Sequence, residues 1–300
     1  MSDFVQDIYS FLSKNTQNNL EIEQINYQKA IIIPNLHIII HCVKLMPVYD
    51  NLPNYFLNLS KDAHQKGFRL IHLWEDQWHS KTDIIKARLL SLLQKSDTIS
   101  ARLTQVQRID KPTLNLFLAQ NHLNVTTNAK FKYGLYLPKR YFRILENPKN
   151  QFSEQVIQHQ LDTEHLLVAV ASFSCAKTII RDKTPFRSYE LIRFANLKGF
   201  NVVGGFDKLL KAFCKEQNPD DIMTYADRDW SDGHSYQKLG FEMVDETPPM
   251  LIWIDSETHE RFYPNKISET DIDTNKYIKC WNTGNLKFIK RFRCEMLVKK

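Results

Sequence analysis

The stretch that decides the fold is residues 196–241, which read NLKGFNVVGGFDKLLKAFCKEQNPDDIMTYADRDWSDGHSYQKLGF. An apolar run reaches the glycine pair 204–205, and apolar residues at helical spacing predict an amphipathic helix after it. A second apolar run, residues 222–226, predicts a buried strand that ends in charged residues. A short helix is expected to close on the Gly-Phe pair 240–241. This order of elements indicates a mixed α/β or α+β fold.

The same order resembles the second half of the GNAT acyltransferase fold. In that fold a strand splays from its neighbour, and a glycine turn presents backbone N–H groups to a pyrophosphate at a helix N-terminus. The family pattern is Gln/Arg-x-x-Gly-x-Gly/Ala, whereas this sequence has Asn201-Val-Val-Gly204-Gly205-Phe206. The resemblance implies an acyl-CoA-like ligand with Gly204, Gly205 and Arg193 as cofactor-binding residues. A glycine pair is also typical of an ordinary turn.

The composition is that of a folded protein. A length of 300 residues with 43% hydrophobic content suggests one to two domains. No apolar run approaches membrane length and the N-terminus does not read as a signal peptide, so a cytoplasmic protein is expected. The five cysteines have no Cys-x-x-Cys spacing, which is typical of free thiols. The formal charge of +6 is compatible with a polyanionic partner but does not demand one.

Three local predictions concern other parts of the chain. Apolar spacing in residues 1–25 predicts a single helix. The polar segment between the strands predicted at residues 133–137 and 165–173 is expected to be irregular. A helix over residues 58–67 is expected to end at a glycine C-cap, Gly67.

Three longer motifs lie outside the opening stretch: KGFRLIHLWEDQW at residues 66–78, FLAQNHL at 117–123 and YIKCWNTGNLKF at 277–288. They resemble phage-type homing endonucleases related to very-short-patch repair nucleases, over about residues 28 to 290. In that family a PD-(D/E)XK-like nuclease module is followed by a GNAT-like domain. The resemblance implies a reduced nuclease module at residues 1–96, a GNAT-like domain with a basic C-terminal tail at 97–300, and a DNA partner in a phage or mobile-element setting.

Nuclease chemistry of this kind needs carboxylates on adjacent strands to hold Mg²⁺ beside the scissile phosphate. Where the family has an Asp on the first strand and a Glu on the second, this sequence has Ala30 and His41. Neither residue offers the oxygen ligand that a hard cation requires. We therefore expect an inactive nuclease centre and no metal site. Glu75 and Asp76 lie between two tryptophans and are expected to pin a strand end to the next helix.

Further candidate residues lie in the segment 225–231, at the end of the strand predicted at residues 222–226. Ligands bind at such strand ends in open sheets. This segment could hold a base or a phosphate, or it could form a salt-bridged turn that caps the next helix. Tyr236 lies where some acyltransferases use a tyrosine as general acid, and it is also typical of an aromatic on the core face of a short helix. The catalytic candidates are Tyr225, Asp227 and Tyr236, and the nucleic-acid candidates here are Arg228 and Trp230.

Basic and aromatic residues alternate at residues 130–133, 139–143 and 287–293. Such interleaving suits a nucleic-acid surface, where cations neutralise phosphates and rings stack on bases. The same alternation also occurs in ordinary strands whose cations face solvent, which is the alternative interpretation. With the second resemblance, DNA contact through Lys139, Arg140 and Arg143 is the favoured interpretation.

Three functions remain open from the sequence. The first is a DNA-binding protein related to homing endonucleases, with an inactive nuclease centre. The second is a GNAT-like group-transfer enzyme, which could modify a DNA base as the Mom-like phage proteins of similar fold do. The third is a binding or scaffolding protein. The contents of the cleft near Gly204 discriminate between them.

Overall fold

The computed structural model describes residues 3–46, 52–124, 128–160, 163–181, 183–263 and 276–292, without the side chains of residues 159, 160 and 181. The chain forms two compact units, each built from separate segments. Unit 1 comprises Met1–Lys86, Ala226–His234 and Asp245–Lys287, and unit 2 comprises Ala87–Tyr225, Ser235–Val244 and Phe288–Lys300. Within the described ranges, no helix has both the length and the apolar character needed to cross a membrane.

Helices and strands are mixed along the chain. In chain order they are α1 (Phe4–Asn15), β1 (Glu21–Ile25), β2 (Gln28–Ile33), β3 (Ile38–Val43), α2 (Tyr55–Gln65), β4 (Arg69–Trp74), α3 (Glu75–Ser80), α4 (Thr82–Leu92), β5 (Asp97–Ser100), β6 (Gln105–Arg108), α5 (Lys111–Asn121), β7 (Phe131–Pro138), α6 (Gln151–Gln160), β8 (His165–Phe173), β9 (Lys177–Arg181), β10 (Thr184–Asn196), β11 (Phe200–Val203), α7 (Gly205–Gln217), β12 (Asp221–Asp227), α8 (His234–Gln237), β13 (Glu242–Glu246), β14 (Leu251–Asp255), β15 (Arg261–Phe262), β16 (Tyr277–Trp281) and β17 (Asn285–Arg291). Short 3-10 helices occupy Pro34–Leu36, Ala101–Leu103 and Lys139–Leu145.

Unit 1 holds a four-stranded sheet of order β1-β2-β3-β4 and a three-stranded sheet of order β15-β14-β16. Strands β1 to β3 are antiparallel, while β3 and β4 run parallel and are connected through α2. Helix α2 covers one face of the larger sheet, where Ala63 packs against Ala30 and Leu70. The element order therefore combines helices and strands, which confirms the predicted mixed α/β class.

Unit 2 is organised around an eight-stranded sheet whose main path is β13-β17-β12-β10-β8-β7-β6, with β9 paired to β10. Strands β11 and β5 form a separate parallel pair. On one face of the large sheet, α7 places the Phe213 ring 3.9 Å from the Phe173 ring in a stacked arrangement. This stack anchors α7 to β8 and fixes which side of the sheet the helix covers.

The first 25 residues do not form the single helix that apolar spacing predicts. Helix α1 ends at Asn15, and Thr16 already has an extended backbone. A polar segment follows, and β1 then pairs with β2 through a turn in which Asn26 has a φ of 50°. Cross-strand pairing therefore overrides the helical spacing in this segment.

The segment expected to be irregular contains a 3-10 helix and α6. The helix begins where Asn150 Oδ1 accepts hydrogen bonds from the backbone N–H groups of Phe152 (3.0 Å) and Ser153 (3.1 Å). Phe152 and Val156 are buried one helical turn apart. An Asn N-cap followed by apolar residues one helical turn apart is a helix-start signal. The prediction missed it because most of this segment is polar.

The predicted division at residues 96 and 97 is contiguous, whereas the compact units are not. Residues 245–287 belong to unit 1 because their strands bury apolar side chains in its core. There Ile252, Ile254 and Cys280 cluster with Val43 and Trp74. Val43 and Trp74, at the ends of β3 and β4, are therefore buried by side chains of β14 and β16, which lie far from them in the sequence.

Two buried carboxylates hold these distant segments of unit 1 in place. Asp76 forms two hydrogen bonds with Arg261, at 2.5 and 2.9 Å. Asp229 Oδ2 accepts from the Trp74 indole N–H at 2.9 Å, and its Oδ1 accepts from the Thr283 hydroxyl at 2.6 Å. Asp76 was predicted to join a strand end to the next helix, whereas its carboxylate joins α3 to β15 through Arg261.

Removal of the Arg261 guanidinium should destabilise unit 1, because it leaves the Asp76 carboxylate buried without its counter-ion. We expect Arg261→Gln to lower the free energy of unfolding by about 3–5 kcal/mol. All five tryptophans lie in the segments of unit 1, so tryptophan fluorescence during denaturant unfolding reports on this unit. The control is Lys44→Gln, which breaks a more exposed pair with Asp3 within unit 1 and should cost less than about 1 kcal/mol. Equal losses in the two variants would contradict the assigned role of the buried pair.

Candidate functional site

The N-terminus of α7 is preceded by a glycine in the left-handed region. Gly204 is the N-cap residue with φ 76° and ψ 6°, a conformation that side chains disfavour. No side chain in the described part of the chain caps this helix end. The first N–H groups of any helix lack intrahelical acceptors, and the helix dipole is positive there. The geometry suits an anionic ligand at this turn.

Gly205 has a different role from the one predicted. Its φ is not positive, and a Cβ atom at this position would lie 2.9 Å from Val202 Cγ1 and 3.2 Å from Leu135 Cδ1. Gly205 is therefore required for packing of α7 on the strands, and a side chain here would disturb the fold itself. The residue with the special conformation is Gly204.

Strands β10 and β12 separate soon after they meet. Their parallel pairing covers three residue pairs and ends at Glu190 with Met223, although β10 continues to Asn196 and β12 to Asp227. Beyond this point the Thr224 hydroxyl donates a hydrogen bond to the Leu191 carbonyl at 3.0 Å. The register of β10 with β8 also shifts between Leu191 and Arg193. Such bulges are over-represented next to active sites.

The Tyr236 to Phe241 motif is a helix C-cap of the Schellman type. Gly240 has φ 77°, its N–H bonds to the Gln237 carbonyl at 2.9 Å, and the Phe241 N–H bonds to the Tyr236 carbonyl at 3.1 Å. The Phe241 ring then lies 5.8 Å from the Tyr236 ring. The spacing Tyr-x-x-x-Gly-Phe is thus explained by local capping alone.

Tyr236 lies on the core side of α8, as one of its two interpretations proposed. Its ring centroid is 5.7 Å from that of Phe206 and 5.5 Å from that of Phe288. Burial raises the pKa of the Tyr236 phenol, while a hydrogen bond with Thr224 and the charges of Arg193 and Arg88 act in the opposite direction. The phenol therefore keeps its proton at neutral pH, which a general acid requires.

Tyr225, Asp227, Arg228 and Trp230 are not all placed in one unit. Tyr225 is partly exposed in unit 2, whereas the other three residues belong to unit 1. Asp227 Oδ1 accepts from the Asp229 N–H at 3.0 Å, and Arg228 forms an ion pair with Glu246 at 2.6 Å. These contacts form the salt-bridged turn that the sequence left as one alternative.

Trp230 does not have the placement that a base-stacking residue needs. It is 3% exposed, and its indole N–H donates to Gln77 Oε1 at 3.3 Å. Its carbonyl accepts a hydrogen bond from Arg69 at 2.7 Å. The predicted nucleic-acid role of Trp230 is therefore corrected, because the ring is part of the core of unit 1.

Arg193 does not lie on the same side of the sheet as the glycine turn. It pairs with Ser172 in the β10–β8 register, and the next residue, Phe194, points to the opposite face. The Phe194 ring stacks on Phe206 of α7 at 4.8 Å. Because successive strand residues alternate between faces, Arg193 points away from α7. Its predicted role as a cofactor ligand at Gly204 is therefore not supported.

The three basic residues of the predicted DNA contact lie together on the 3-10 helix Lys139–Leu145. Lys139, Arg140 and Arg143 are all exposed. Lys139 forms an ion pair with Glu164 at 3.1 Å, and the Arg140 guanidinium lies 5.0 Å from the Tyr141 ring centroid. The arrangement presents three cations and one ring to solvent.

Ala30 and His41, the two positions compared with nuclease carboxylates in the sequence analysis, lie directly opposite each other. Ala30 on β2 pairs with His41 on β3, and His41 pairs in turn with His72 on β4. All three residues are fully buried. In the described ranges, no group of three or more His, Cys, Asp or Glu side chains has an arrangement that could hold a metal ion.

The two histidines form a buried hydrogen-bonded pair. His72 Nε2 lies 2.9 Å from the Ser60 hydroxyl and 3.1 Å from the Phe56 carbonyl. The Nδ1 atoms of His41 and His72 lie 3.0 Å apart, so one ring donates to the other. His41 Nε2 is buried and has no partner among the described residues.

Sequence reasoning missed three of these buried polar groups. The His41–His72 pair and the Asp229 carboxylate were not singled out, although a histidine within each of two apolar strands was a visible signal. Ser172 was missed too, although it interrupts the apolar strand β8. Their partners come from other strands, so spacing along the chain carries no information about them.

No protein-family model and no curated protein matches this sequence. Among solved structures, it is similar to histone acetyltransferase HPA2 and related acetyltransferase from Corynebacterium glutamicum, with 15% identity, coverage of 65% of this chain and 99% of that chain, and a TM-score of 0.32. It is also similar to a chain of the NatC complex bound to Gag peptide and CoA, with 10% identity, coverage of 63% and 99%, and a TM-score of 0.29. These values are too low to assign a family or a function to the chain.

The buried histidine pair should make the stability of unit 1 depend on pH. Burial lowers the pKa of His41 well below its ordinary value of 6.5 and lowers the pKa of His72 to about 3. Above pH 6.5 both residues are neutral in the folded and unfolded states, so their contribution is complete. As the pH falls below 6.5, the unfolded chain binds protons first, and unit 1 loses stability at up to about 1.4 kcal/mol per pH unit for each histidine.

Denaturant unfolding followed by tryptophan fluorescence between pH 7.5 and 4 measures this effect. The double variant His41→Leu/His72→Phe should show a flatter pH dependence than wild type. His64→Gln provides the control, because His64 is exposed on α2 and its removal should leave the slope unchanged. An unchanged slope in the double variant would mean that other groups titrate in this range.

Proposed function

We propose that unit 2 is a GNAT-like group transferase that binds an acyl-CoA-type cofactor at the start of α7. The observation that carries this proposal is the pairing of two features in one unit: the left-handed Gly204 before α7, and the divergence of β10 from β12. The helix of Tyr236 follows both in the chain. These are the features that the GNAT resemblance implies.

The residues present fit such a cofactor. Gly204 has no side chain to obstruct the N–H groups of the first turn of α7, and those groups are suited to a pyrophosphate. When bound, an acyl-CoA supplies an activated thioester. The gap between β10 and β12 would admit its acyl end, since backbone pairing no longer closes that gap after Met223.

Tyr236 is the residue proposed to move a proton. Its phenol is protonated because burial raises its pKa, so it can donate to a departing thiolate. The surrounding rings of Phe206, Phe241 and Phe288 exclude water from one side of the phenol. Tyr225, exposed on β12, is a further candidate to contact the acceptor.

Binding of CoA and acetyl-CoA to Gly204→Ala tests the cofactor site. A side chain at φ 76° is strained by about 1 kcal/mol, and relief of that strain would displace the N–H groups of the turn. We expect calorimetric titration to show weaker binding by at least about tenfold. The control is Gly67→Ala, which introduces the same strain at φ 78°, where a Cβ meets no atom within 4 Å.

The proposal fails if wild type binds neither CoA nor acetyl-CoA at millimolar concentration, or if the two glycine variants lose affinity equally. Tyr236→Phe adds a separate measurement, because it should keep cofactor binding and slow transfer. Slow hydrolysis of acetyl-CoA without an acceptor can serve as the assay of transfer.

A second candidate function is DNA binding by a protein related to homing endonucleases with an inactive nuclease centre. The exposed basic 3-10 helix favours it, and the replacement of both carboxylate positions by Ala30 and His41 argues against Mg²⁺-dependent cleavage. The two proposals are compatible, because a transferase with this basic surface would suit a DNA base as its acceptor.

The salt dependence of duplex DNA binding tests this surface. Each lost phosphate contact flattens the slope of log affinity against log salt by about one, so a Gln variant of Lys139, Arg140 and Arg143 should lose up to about three. A Gln variant of the exposed residues Lys177, Lys211 and Lys215 removes the same charge and should keep the slope. If both triple variants change the slope alike, net charge alone drives the binding.

A further inference from the structure

The Thr224 hydroxyl lies at the point where the pairing of β10 and β12 ends. Thr224 follows Met223, the last residue of β12 that pairs with β10. Its side chain is buried, and its hydroxyl donates to the Leu191 carbonyl at 3.0 Å. Because a hydroxyl has one proton, this bond fixes the direction of that proton and leaves the Oγ1 lone pairs to accept. Thr224 can therefore receive a further hydrogen bond.

The second partner of Thr224 is the phenol of Tyr236, with which its side chain forms a hydrogen bond. Since the Thr224 proton is directed to Leu191, the Tyr236 O–H is the donor of this bond while the phenol is protonated. A chain of two hydrogen bonds thus runs from the phenol through the hydroxyl to the carbonyl. All three groups belong to unit 2.

Loss of the phenolic proton reverses the bond between Thr224 and Tyr236. A tyrosinate oxygen has no proton to donate, and it is a stronger acceptor than a neutral carbonyl because charge-assisted hydrogen bonds are shorter and stronger. Rotation about the Cβ–Oγ1 bond of Thr224 moves its proton from the Leu191 carbonyl to that oxygen. The hydroxyl therefore has an acceptor in either protonation state of Tyr236.

The charges near the phenol favour the same ionised state. Burial raises the pKa of the Tyr236 phenol, whereas the hydrogen bond with Thr224 and the charges of Arg193 on β10 and Arg88 on α4 lower it. Neither guanidinium has to give up its own partners for this effect, because the interaction is Coulombic. Thr224 differs from both cations in that its hydroxyl bonds directly to the oxygen that carries the charge.

We propose that Thr224 is a positioning residue for Tyr236: its hydroxyl accepts the phenolic hydrogen bond in the resting protein and donates to the tyrosinate once the proton has left. In that step the O–H bond of Tyr236 breaks and an S–H bond forms on the departing thiolate, while Thr224 keeps its own proton. This role in transfer rests on the proposed transferase function, whereas the hydrogen bond itself does not.

Thr224→Val tests the proposal, because valine has a similar shape and lacks the hydroxyl. In acetyl-CoA hydrolysis this variant should lower kcat about tenfold with KM unchanged, which is part of the hundredfold or more that a general acid contributes. Thr224→Ser should restore most of the wild-type rate. In a Tyr236→Phe background Thr224→Val should have no further effect, because Thr224 acts through the phenol. The control is Thr178→Val, which removes an exposed hydroxyl of β9 and should behave as wild type.

A spectroscopic measurement tests the hydrogen bond without any transfer activity. Incorporation of fluorotyrosine lets fluorine NMR follow the ionisation of each phenol, and the Tyr236 resonance is the one missing from Tyr236→Phe. Thr224→Val should raise the pKa of this phenol, because the tyrosinate loses a donor. Thr224→Ser and Thr178→Val should leave that pKa close to wild type. A purely structural role of Thr224 would lower the melting temperature and leave the pKa in place.

Three results would overturn the proposal: the same Tyr236 pKa in wild type and Thr224→Val, equal slowing by Thr224→Val with and without the phenol, or no rescue by Thr224→Ser. Calorimetric titration separates it from the cofactor site, because Thr224→Val should bind CoA as wild type does, whereas Gly204→Ala should not. If wild type neither binds CoA nor hydrolyses acetyl-CoA, the transferase proposal fails, and the fluorine measurement alone decides whether Thr224 positions the phenolic proton.

Discussion

The short parallel contact between β10 and β12 is the constraint on which the candidate site of unit 2 depends. Pairing stops at Glu190 and Met223, so the backbone groups beyond must find other partners. Thr224 meets part of this need by donating its hydroxyl to the Leu191 carbonyl. A side-chain hydrogen bond therefore replaces the backbone ladder at the point where the pairing of the two strands ends.

The bulge in β10 gives the two faces of that sheet different chemistry. Phe194 turns towards α7 and stacks on Phe206, while Arg193 turns to the other face opposite Ser172. One face consequently carries the glycine turn and an aromatic cluster, and the other carries Arg193 and the buried Ser172.

Unit 1 is stabilised by polar groups in its interior rather than by apolar packing alone. The Asp229 carboxylate is satisfied by Trp74 and Thr283, although burial raises its pKa above the ordinary range. The two histidines bond to each other through their Nδ1 atoms, while His41 Nε2 has no partner among the described residues. Buried groups of this kind specify which segments must meet, because wrong pairings leave a desolvated charge.

The sequence by itself determined the local features of this protein. The glycine before α7 and the Schellman caps at Gly67 and Gly240 depend only on neighbouring residues. That positions 30 and 41 hold Ala and His, and not carboxylates, is a matter of residue identity alone. Helix and strand order over residues 196–241 followed from the same short-range rules, which is why it agrees with the structure.

Only the tertiary structure decided which residues meet. The burial of Trp230, the side of the sheet on which Arg193 lies, and the return of residues 245–287 to unit 1 all depend on contacts between distant segments. A one-residue bulge reverses the face of every later side chain in β10, and nothing in the sequence marks where it occurs. Helix caps and turns depend on residues that are close together in the sequence. The sheet face and the pairing partner of each strand residue depend on strand register, which exists only in the folded sheet.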